Sequence, residues 1–321
     1  MKKCLVIAMG FILVVSFVSI GLAKDYKGKK VLFVDSYHEG YAWSDGITQG
    51  IQKTLAGTGV DLEIIRMDTK RNKDDAFKKT AAKEAKAAIE VFKPDVIIAA
   101  DDNASKFLIM PYFKNVDVPV VFCGVNWDAT VYGYPYQNAT GMVEVTPIPQ
   151  ILEQLRPFAK GDRIGMIGPD IITAHKEADN YRKVFGYELT EYYATDFEDW
   201  KKGFAELQDQ VDMLIVDSDG GLYSDHTDEM KAFVEANTKI PTGAAYDFMA
   251  SYALMTYGKL AQEQGAWSAS TALKILDGDS PADIPLIKNK EGTLIINVRI
   301  AKNMGAEIPF EILESADKII E

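Results

Sequence analysis

Cysteine is scarce in this 321-residue sequence, and this excludes a disulfide framework. Cys4 precedes an apolar N-terminal run, so it does not take the position of a lipidated cysteine, which follows such a run. If that segment is removed, Cys123 remains alone and no intramolecular disulfide is possible. Cys123 lies in an apolar stretch, where we expect a buried, inert thiol.

Histidine is equally scarce, and no pair of histidines has the spacing of a metal site. The three residues, in separate predicted loops or helix starts, are His38, His175 and His226. The segment Asp217-Ser218-Asp219-Gly220 resembles a calcium loop only at its start, since the glycine at position six and the distant glutamate are missing. We expect no metal and no cofactor.

Nucleotide and hydrolase motifs are missing too. There is no Gly-x-Ser-x-Gly elbow and no phosphate-binding Gly-Lys-Ser/Thr loop, and Gly165-Met166-Ile167-Gly168 lacks the third glycine of a dinucleotide fingerprint. The adjacent Asp101 and Asp102 would raise each other's pKa if both faced a cleft. We expect them to cap a helix or to bind a ligand, and we expect no catalytic residues.

The sequence has fewer basic than acidic residues: 35 lysines and arginines compared with 47 aspartates and glutamates, which gives a net charge of −12. No basic stripe is present, so nucleic acid is not an expected partner. Hydrophobic residues make up 47% and charged residues 26%, which is typical of a globular protein. The length suits two domains.

The N-terminus has the pattern of a secretory signal peptide spanning residues 1–23. Lys2 and Lys3 precede the apolar residues 5–20, and Gly21-Leu22-Ala23 offers small residues for cleavage. A permanent anchor is the alternative, but this apolar run is short for a span of about 20 residues. Cleavage would lower the net charge from −12 to −14 and predicts a periplasmic protein.

Short apolar runs alternate with helical patterns in two halves of the chain. Predicted strands lie at 31–34, 62–67, 95–100 and 119–125, then at 163–167, 188–193, 213–216 and 241–245. Such alternation predicts parallel sheets covered by helices on both faces. Residues 128–149, rich in Tyr, Gly and Pro, are interpreted as a crossing between lobes. The fold class is therefore α/β, with two doubly wound parallel-sheet lobes joined by several hinge crossings.

In such sheets, ligands bind beyond the carboxyl ends of the strands. The loops at these ends combine aromatic rings with carboxylates and amides. The candidate ligand-binding residues are Ser36, Tyr37, His38, Tyr41, Trp43, Asp101, Asp102, Asn103, Asn126, Trp127, Asp217, Ser218, Asp219, Tyr246 and Asp247. The alternative for each loop is that Asp, Asn, Ser and Gly merely form turns.

The chemistry of these loops suits an amino-acid-like or amine-bearing ligand. Asp side chains bind an ammonium group, aromatic faces bury a ring, and a first helix capped by Ser44 would receive a ligand carboxylate. His38 either contacts the ligand or holds its loop. Trp43 and Trp127 either line the cleft or pack inside a lobe.

The C-terminal part of the sequence resembles one known family. The segment Ile295-Ile296-Asn297-Val298-Arg299-Ile300-Ala301-Lys302-Asn303-Met304-Gly305 is similar to the closing motif of ABC transporter substrate-binding proteins related to tryptophan- and tyrosine-binding components. The motifs Asn138-Ala139-Thr140-Gly141 and Thr256-Tyr257-Gly258 fit the same family in order and spacing. So does Gly278-Asp279-Ser280-Pro281-Ala282-Asp283-Ile284-Pro285.

This resemblance implies a type I periplasmic-binding fold, a small-molecule ligand, and an ABC permease and ATPase as partners of a monomer. It implies that residues 253–258 return to the first lobe. We therefore expect lobe 1 at 24–128 plus 247–287, and lobe 2 at 129–246 plus 288–321. The first loop, Ser36-Tyr37-His38-Glu39-Gly40-Tyr41-Ala42-Trp43, looks more like a branch that includes sensor domains. A module that presents its ligand to a separate membrane receptor is therefore the alternative function.

Overall fold

A computed structural model describes residues 25–218 and 224–321 of the chain. The predicted signal peptide and the candidate residue Asp219 lie outside these residues. Within the described ranges, no helix has both the length and the apolar character needed to cross a bilayer.

The described strands form two sheets. In chain order they are β1 (Lys30–Asp35), β2 (Asp61–Arg66), β3 (Val96–Ala100), β4 (Val120–Asn126), β5 (Ala139–Glu144), β6 (Ile164–Pro169), β7 (Leu189–Ala194), β8 (Met213–Val216), β9 (Thr242–Ala244), β10 (Met255–Lys259), β11 (Ile287–Lys288), β12 (Gly292–Asn297) and β13 (Lys318–Ile320).

The helices lie between the strands and cover both faces of the sheets. In chain order they are α1 (Ala42–Leu55), α2 (Asp75–Phe92), α3 (Asp101–Ala104), α4 (Met110–Tyr112), α5 (Ile148–Leu155), α6 (Ile172–Phe185), α7 (Phe197–Leu207), α8 (Thr227–Asn237), α9 (Ala261–Leu276), α10 (Val298–Met304) and α11 (Phe310–Ser315). A π-helical turn, Ser105–Ile109, joins α3 to α4.

The first sheet has six parallel strands in the order β11-β5-β4-β3-β1-β2. Strand β1 shows why this sheet is buried on both faces. Its residues Leu32 and Val34 pack into the core shared with α2, while Val31 and Phe33 pack into the core shared with α1 and α9. Side chains alternate across a strand, so a continuous apolar run serves two cores.

The second sheet has seven strands in the order β13-β12-β10-β9-β8-β6-β7. Only the pairing of β10 with β12 is antiparallel. Trp200 and Phe204 of α7 are fully buried against this sheet. The α/β fold with two mostly parallel sheets is the architecture that the sequence predicted.

The helices α1 and α9 pack closely on the first sheet because glycines line their contact. A Cβ atom at Gly265 would lie 2.0 Å from the carbonyl oxygen of Ile47, and one at Gly50 would lie 2.3 Å from that of Gln262. Any side chain at either position would force the helices apart. The contact fixes α9, which enters after a hinge crossing, onto the sheet that contains β1.

The strand pairing moves two segments relative to the predicted lobes. Strand β5 was expected in lobe 2, within the predicted crossing 128–149, but it pairs with β4 in the first sheet. Strand β10 was expected to return to lobe 1, but it pairs with β9 and β12 in the second sheet. The residues of β5 are all buried and pair with β4 from Ala139 to Glu144, so β5 extends the first sheet and the crossing begins only after Glu144.

Three crossings therefore connect the sheets, after β5, after β10 and after β11. We use "first lobe" for residues 25–144 plus 261–288 and "second lobe" for residues 148–259 plus 292–320. Two crossings are joined by reciprocal hydrogen bonds, since the backbone N–H of Val145 donates to Asn289 Oδ1 (2.7 Å) and Asn289 Nδ2 donates to the carbonyl of Val145 (3.1 Å). Parallel crossings of this kind form a hinge.

Candidate functional site

The carboxyl ends of strands from both sheets meet at one place. Glu144 ends the pairing of β5 in the first sheet, and Lys259 ends β10 in the second. Their side chains form an ion pair in which Glu144 is only 6% exposed. This contact links the two strand edges where a ligand was predicted to bind. Neither residue was among the candidates predicted from the sequence.

Asp35 at the end of β1 is fully buried and organises the first loop. It accepts hydrogen bonds from Ser44 Oγ (2.8 Å) and the backbone N–H of Tyr37 (2.9 Å), and it forms an ion pair with Arg66 Nη1 (2.5 Å). Ser44 therefore does not cap α1. Asp45 also lies in the first turn of α1 and accepts the backbone N–H of Gly40. The start of α1, where a ligand carboxylate was expected to bind, is thus lined by acidic side chains of the protein.

Ser36 and Asn103 hold the framework beneath the loops. Ser36 is fully buried; its Oγ donates to the carbonyl of Ala100 (2.5 Å) and accepts the backbone N–H of Ala104 (2.8 Å). Asn103 Nδ2 donates to Thr69 Oγ1 (2.9 Å). Ser36 thus ties the end of β1 to the start of α3, and Asn103 ties α3 to the segment that follows β2.

Asp101 is the most unusual residue at this edge. It is 1% exposed and its φ is +70°, a left-handed conformation that costs free energy for a residue with a side chain. Trp43 Nε1 donates to its Oδ1 (3.0 Å), whereas its buried Oδ2 has no hydrogen-bond partner among the described residues. Burial raises the pKa of Asp101 well above its usual range, and the carboxylates of Glu144 and Asp35 raise it further.

Asp102 lies beside it and is held from the neighbouring strand end. Its Oδ2 accepts a hydrogen bond from Asn126 Nδ2 (2.7 Å) and its Oδ1 accepts one from Tyr132 OH (2.9 Å). Burial also raises the pKa of Glu144, although the Lys259 ammonium opposes the rise. The carboxylates of Glu144 and Asp102 both raise the pKa of Asp101, so the three acids form one group.

Aromatic rings flank this group. The rings of Tyr37 and Tyr41 meet edge to face with centroids 5.4 Å apart, and the ammonium of Lys70 lies 4.9 and 4.8 Å from their centroids. Burial raises the pKa of Tyr37, and the Asp101 and Asp102 carboxylates add to it, so this ring faces the acids. The ring centroid of Trp43 lies 5.5 Å from the ammonium nitrogen of Lys259.

His38 is a loop residue in this structure. Its Nδ1 lies 2.9 Å from the carbonyl oxygen of Glu39, and its ring centroid is 5.9 Å from that of Tyr41. No three His, Cys, Asp or Glu side chains within 25–218 and 224–321 are grouped so that they could hold a metal ion.

Trp127 packs against the hydrophobic cores of both lobes. It has a φ of +59°, and its ring lies 5.8 Å from Tyr181 and 6.2 Å from Phe185, both on α6. Its Nε1 donates to Glu177 Oε1 (2.9 Å), and Thr146 Oγ1 donates to Glu177 Oε2 (2.9 Å). Trp127 thus joins the lobes beside the hinge, through a glutamate that the sequence reasoning missed.

Asp217 and Tyr246 bring the second lobe to the same edge. Burial raises the pKa of Asp217 to about 7, which a backbone hydrogen bond from Ser218 opposes and the Glu177 carboxylate reinforces. Burial raises the pKa of Tyr246, and the carboxylates of Glu177, Asp217 and Glu144 add to it. Because Glu144 belongs to the first lobe, Tyr246 lies near carboxylates of both lobes, and we call the place where these strand ends meet the gap. We call Asp101, Asp102, Glu144, Glu177 and Asp217 the acidic cluster.

Asp247 lies apart from the acidic cluster. It is exposed, and its charged neighbours are Lys318 and Asp317 of the C-terminal segment. Its Oδ1 points towards Gly258 on β10. The structure therefore groups most of the predicted site residues but places Asp247 on the side of β12 and β13.

Solved structures with a similar fold include binding proteins of ABC transporters. A substrate-binding protein with adhesive properties from Clostridium difficile, in its ligand-free, open form, is 22% identical with a TM-score of 0.68, covering 91% of this chain and 99% of that one. An ABC domain from Streptococcus pneumoniae in complex with L-Trp is 18% identical with a TM-score of 0.52, covering 91% and 99%. A periplasmic ribose ABC transporter protein from Conexibacter woesei is 16% identical with a TM-score of 0.56, covering 88% and 97%.

Among curated proteins, none matches this sequence. The family model described as ABC transporter substrate binding protein matches residues 39–320, nearly the whole described chain. This confirms the family inferred from the sequence motifs, and it supports binding of a substrate rather than its conversion. The chain belongs to the ABC transporter substrate-binding protein family.

Proposed function

We propose that this chain is the extracytoplasmic solute-binding component of an ABC importer. In this proposal it captures a small polar or aromatic, amino-acid-like or amine-bearing ligand between its lobes and delivers it to a membrane permease driven by an ATPase. The observation that carries the proposal is the convergence of the acidic cluster and the rings of Tyr37, Trp43 and Tyr246 from both lobes on one gap.

The hinge supplies the motion that capture requires. Three short crossings join the lobes, and the contacts beside them, Glu144 with Lys259 and Trp127 with Glu177, lie at the base of the gap. A ligand that contacts both lobes stabilises the closed arrangement by its differential affinity for it. Micromolar binding corresponds to about −8 kcal/mol, which a few charge-assisted hydrogen bonds and one buried ring would supply.

A ligand screen tests this proposal. The chain from residue 24 onwards is to be mixed with amino acids, amines, nucleosides and sugars, and its melting temperature followed. A ligand at 100 times its Kd adds about 2.7 kcal/mol to stability. We expect a hit, with a smaller radius of gyration in the complex by X-ray scattering. Stabilisation without compaction would contradict capture by closing lobes.

A matched pair of variants locates the site. Asp102→Asn removes a charge from the acidic cluster, whereas Asp61→Asn removes one at the exposed start of β2, on the opposite edge of the first sheet. We expect the first change to weaken ligand binding about tenfold or more by calorimetry and the second to leave it unchanged. Equal affinities for the two variants would place the ligand elsewhere.

An uptake assay distinguishes a role in transport from a role in sensing. We expect cells that lack this chain to lose uptake of the radiolabelled ligand and to regain it when the chain is supplied. Unchanged uptake together with a lost transcriptional response to the ligand would instead favour the sensory alternative suggested by the first loop.

A further inference from the structure

The charges at the gap are unbalanced. The acidic cluster contributes five carboxyl groups, and the cationic side chains recorded around it are already engaged. Lys259 is paired with Glu144, and Arg66 is paired with Asp35, which lies beneath the cluster. Inside a protein, a group of carboxylates without matching cations is costly unless its members take up protons or a cation binds to them.

One oxygen of this cluster has no partner. Asp101 Oδ2 is buried and makes no hydrogen bond within the described part of the chain, while Trp43 holds the other oxygen in place. The side chain is also fixed on a strained backbone at the end of β3. Strain and an unsatisfied polar atom at one residue are typical of a position kept for binding.

The starts of α1 and α3 are unfavourable positions for a ligand carboxylate. The first turn of α1 contains Asp45, and Ser44 beside it donates to the buried Asp35. The first turn of α3 contains Asp101 and Asp102. An anionic group placed at either helix start would meet carboxylates at close range and would be repelled.

The aromatic walls already hold ammonium groups of the protein. Lys70 lies over both Tyr37 and Tyr41, and Lys259 lies over Trp43. Ammonium groups are attracted to the faces of such rings. The lining therefore combines the two features that bind organic cations, which are carboxylates and aromatic faces.

We propose that the ligand is an organic cation without a carboxylate, such as a primary amine or a guanidinium compound, whose charged group binds at Asp101, Asp102 and Glu144. This inference rests on the proposed function and narrows its ligand class. The protein distinguishes an amine from the parent amino acid because the added carboxylate would lie among acids. Lys70 is the competing cation of the site and weakens binding of a cationic guest.

Pairs of compounds that differ only in the carboxylate test the proposal. The probes are tryptamine with tryptophan, tyramine with tyrosine, agmatine with arginine and cadaverine with lysine, with glucose and adenosine as neutral compounds. We expect one amine to bind at least about tenfold more tightly than its parent amino acid, as measured by calorimetry at low salt. A parent amino acid or a neutral compound as the tightest binder would overturn the inference and leave the proposed function standing. No binding of any probe would overturn both.

The variant Lys70→Met should change ligand affinity in opposite directions for a cationic ligand and for a ligand whose carboxylate binds Lys70. If the ligand is a cation, removing Lys70 relieves repulsion, and we expect binding to tighten by about threefold. If Lys70 instead held a ligand carboxylate, the variant would bind more weakly, and this result would overturn the inference. Lys53→Met, at the exposed end of α1, is the matched control and should leave affinity unchanged.

Discussion

Replacing Asp217 with asparagine should stabilise the ligand-free protein at alkaline pH. Burial raises the pKa of Asp217 to about 7, from 3.8 in an unfolded chain. Between these values the folded protein keeps the proton that the unfolded chain has lost, so stability falls as the pH rises. At 1.36 kcal/mol per pKa unit, the loss above pH 7 is at most about 4 kcal/mol. This is a large share of the 5–15 kcal/mol that is typical of a domain.

Two groups beside Asp217 act in opposite directions on its pKa: the Glu177 carboxylate reinforces the rise, and a backbone hydrogen bond from Ser218 opposes it. Glu177 from α6 is an acid, and the phenols of Tyr181, Tyr193 and Tyr246 are neutral at the pH values used. None of them supplies a positive charge that would favour the ionised form. Asparagine is nearly the same size and stays neutral, so it should remove the penalty without opening a cavity.

Urea unfolding of the two proteins at pH 5 and at pH 8 measures this effect. Relative to the unchanged protein, we expect Asp217→Asn to raise the free energy of unfolding by about 2–4 kcal/mol more at pH 8 than at pH 5. Asp61→Asn, at an exposed strand start, should show no such difference. A gain for Asp217→Asn that is equal at both pH values, or larger at pH 5, would refute the reasoning.

Two further predictions concern the packing that positions the site. Gly265→Ala should lower the free energy of unfolding in urea by about 1–3 kcal/mol, because the added Cβ would meet the carbonyl oxygen of Ile47. Ser270→Ala, on the exposed side of α9, is the control and should change the free energy of unfolding little; equal effects would contradict the close packing of α1 and α9. Trp127→Phe should lower the free energy of unfolding by about 1–3 kcal/mol, because it removes the hydrogen bond to Glu177. Trp267→Phe in the first lobe is the control and should lower it less. A smaller effect of Trp127→Phe than of Trp267→Phe would contradict the role of Trp127 at the hinge.

The fold was predictable because its pattern is local. Strands such as β1 and β4 are continuous apolar runs bounded by helices, and the edge where their loops meet follows from the parallel arrangement. The assignment of β5 and β10 to sheets was not predictable in this way. Which sheet a strand joins depends on pairing with residues far away in the sequence, and no local pattern records it.

The candidate site was predictable only in part, for the same reason. Tyr37 and Asp102 lie two residues beyond a strand end, and Trp43 lies at the start of α1 after the first loop, so their place could be predicted from the sequence. Glu144 was hidden by the misplacement of β5, and Glu177 lies within α6, where a charged residue usually indicates a solvent-facing side. Asp247 follows a strand end as well, but its loop turns towards Lys318.

The most direct test of the account is a crystal structure of the chain with its tightest-binding amine from the paired screen. The account predicts that the ligand lies between the lobes, with its cationic nitrogen within hydrogen-bond distance of Asp101 Oδ2 and its body against Tyr37 or Trp43. A ligand bound to one lobe alone, or on a surface away from the acidic cluster, would contradict it.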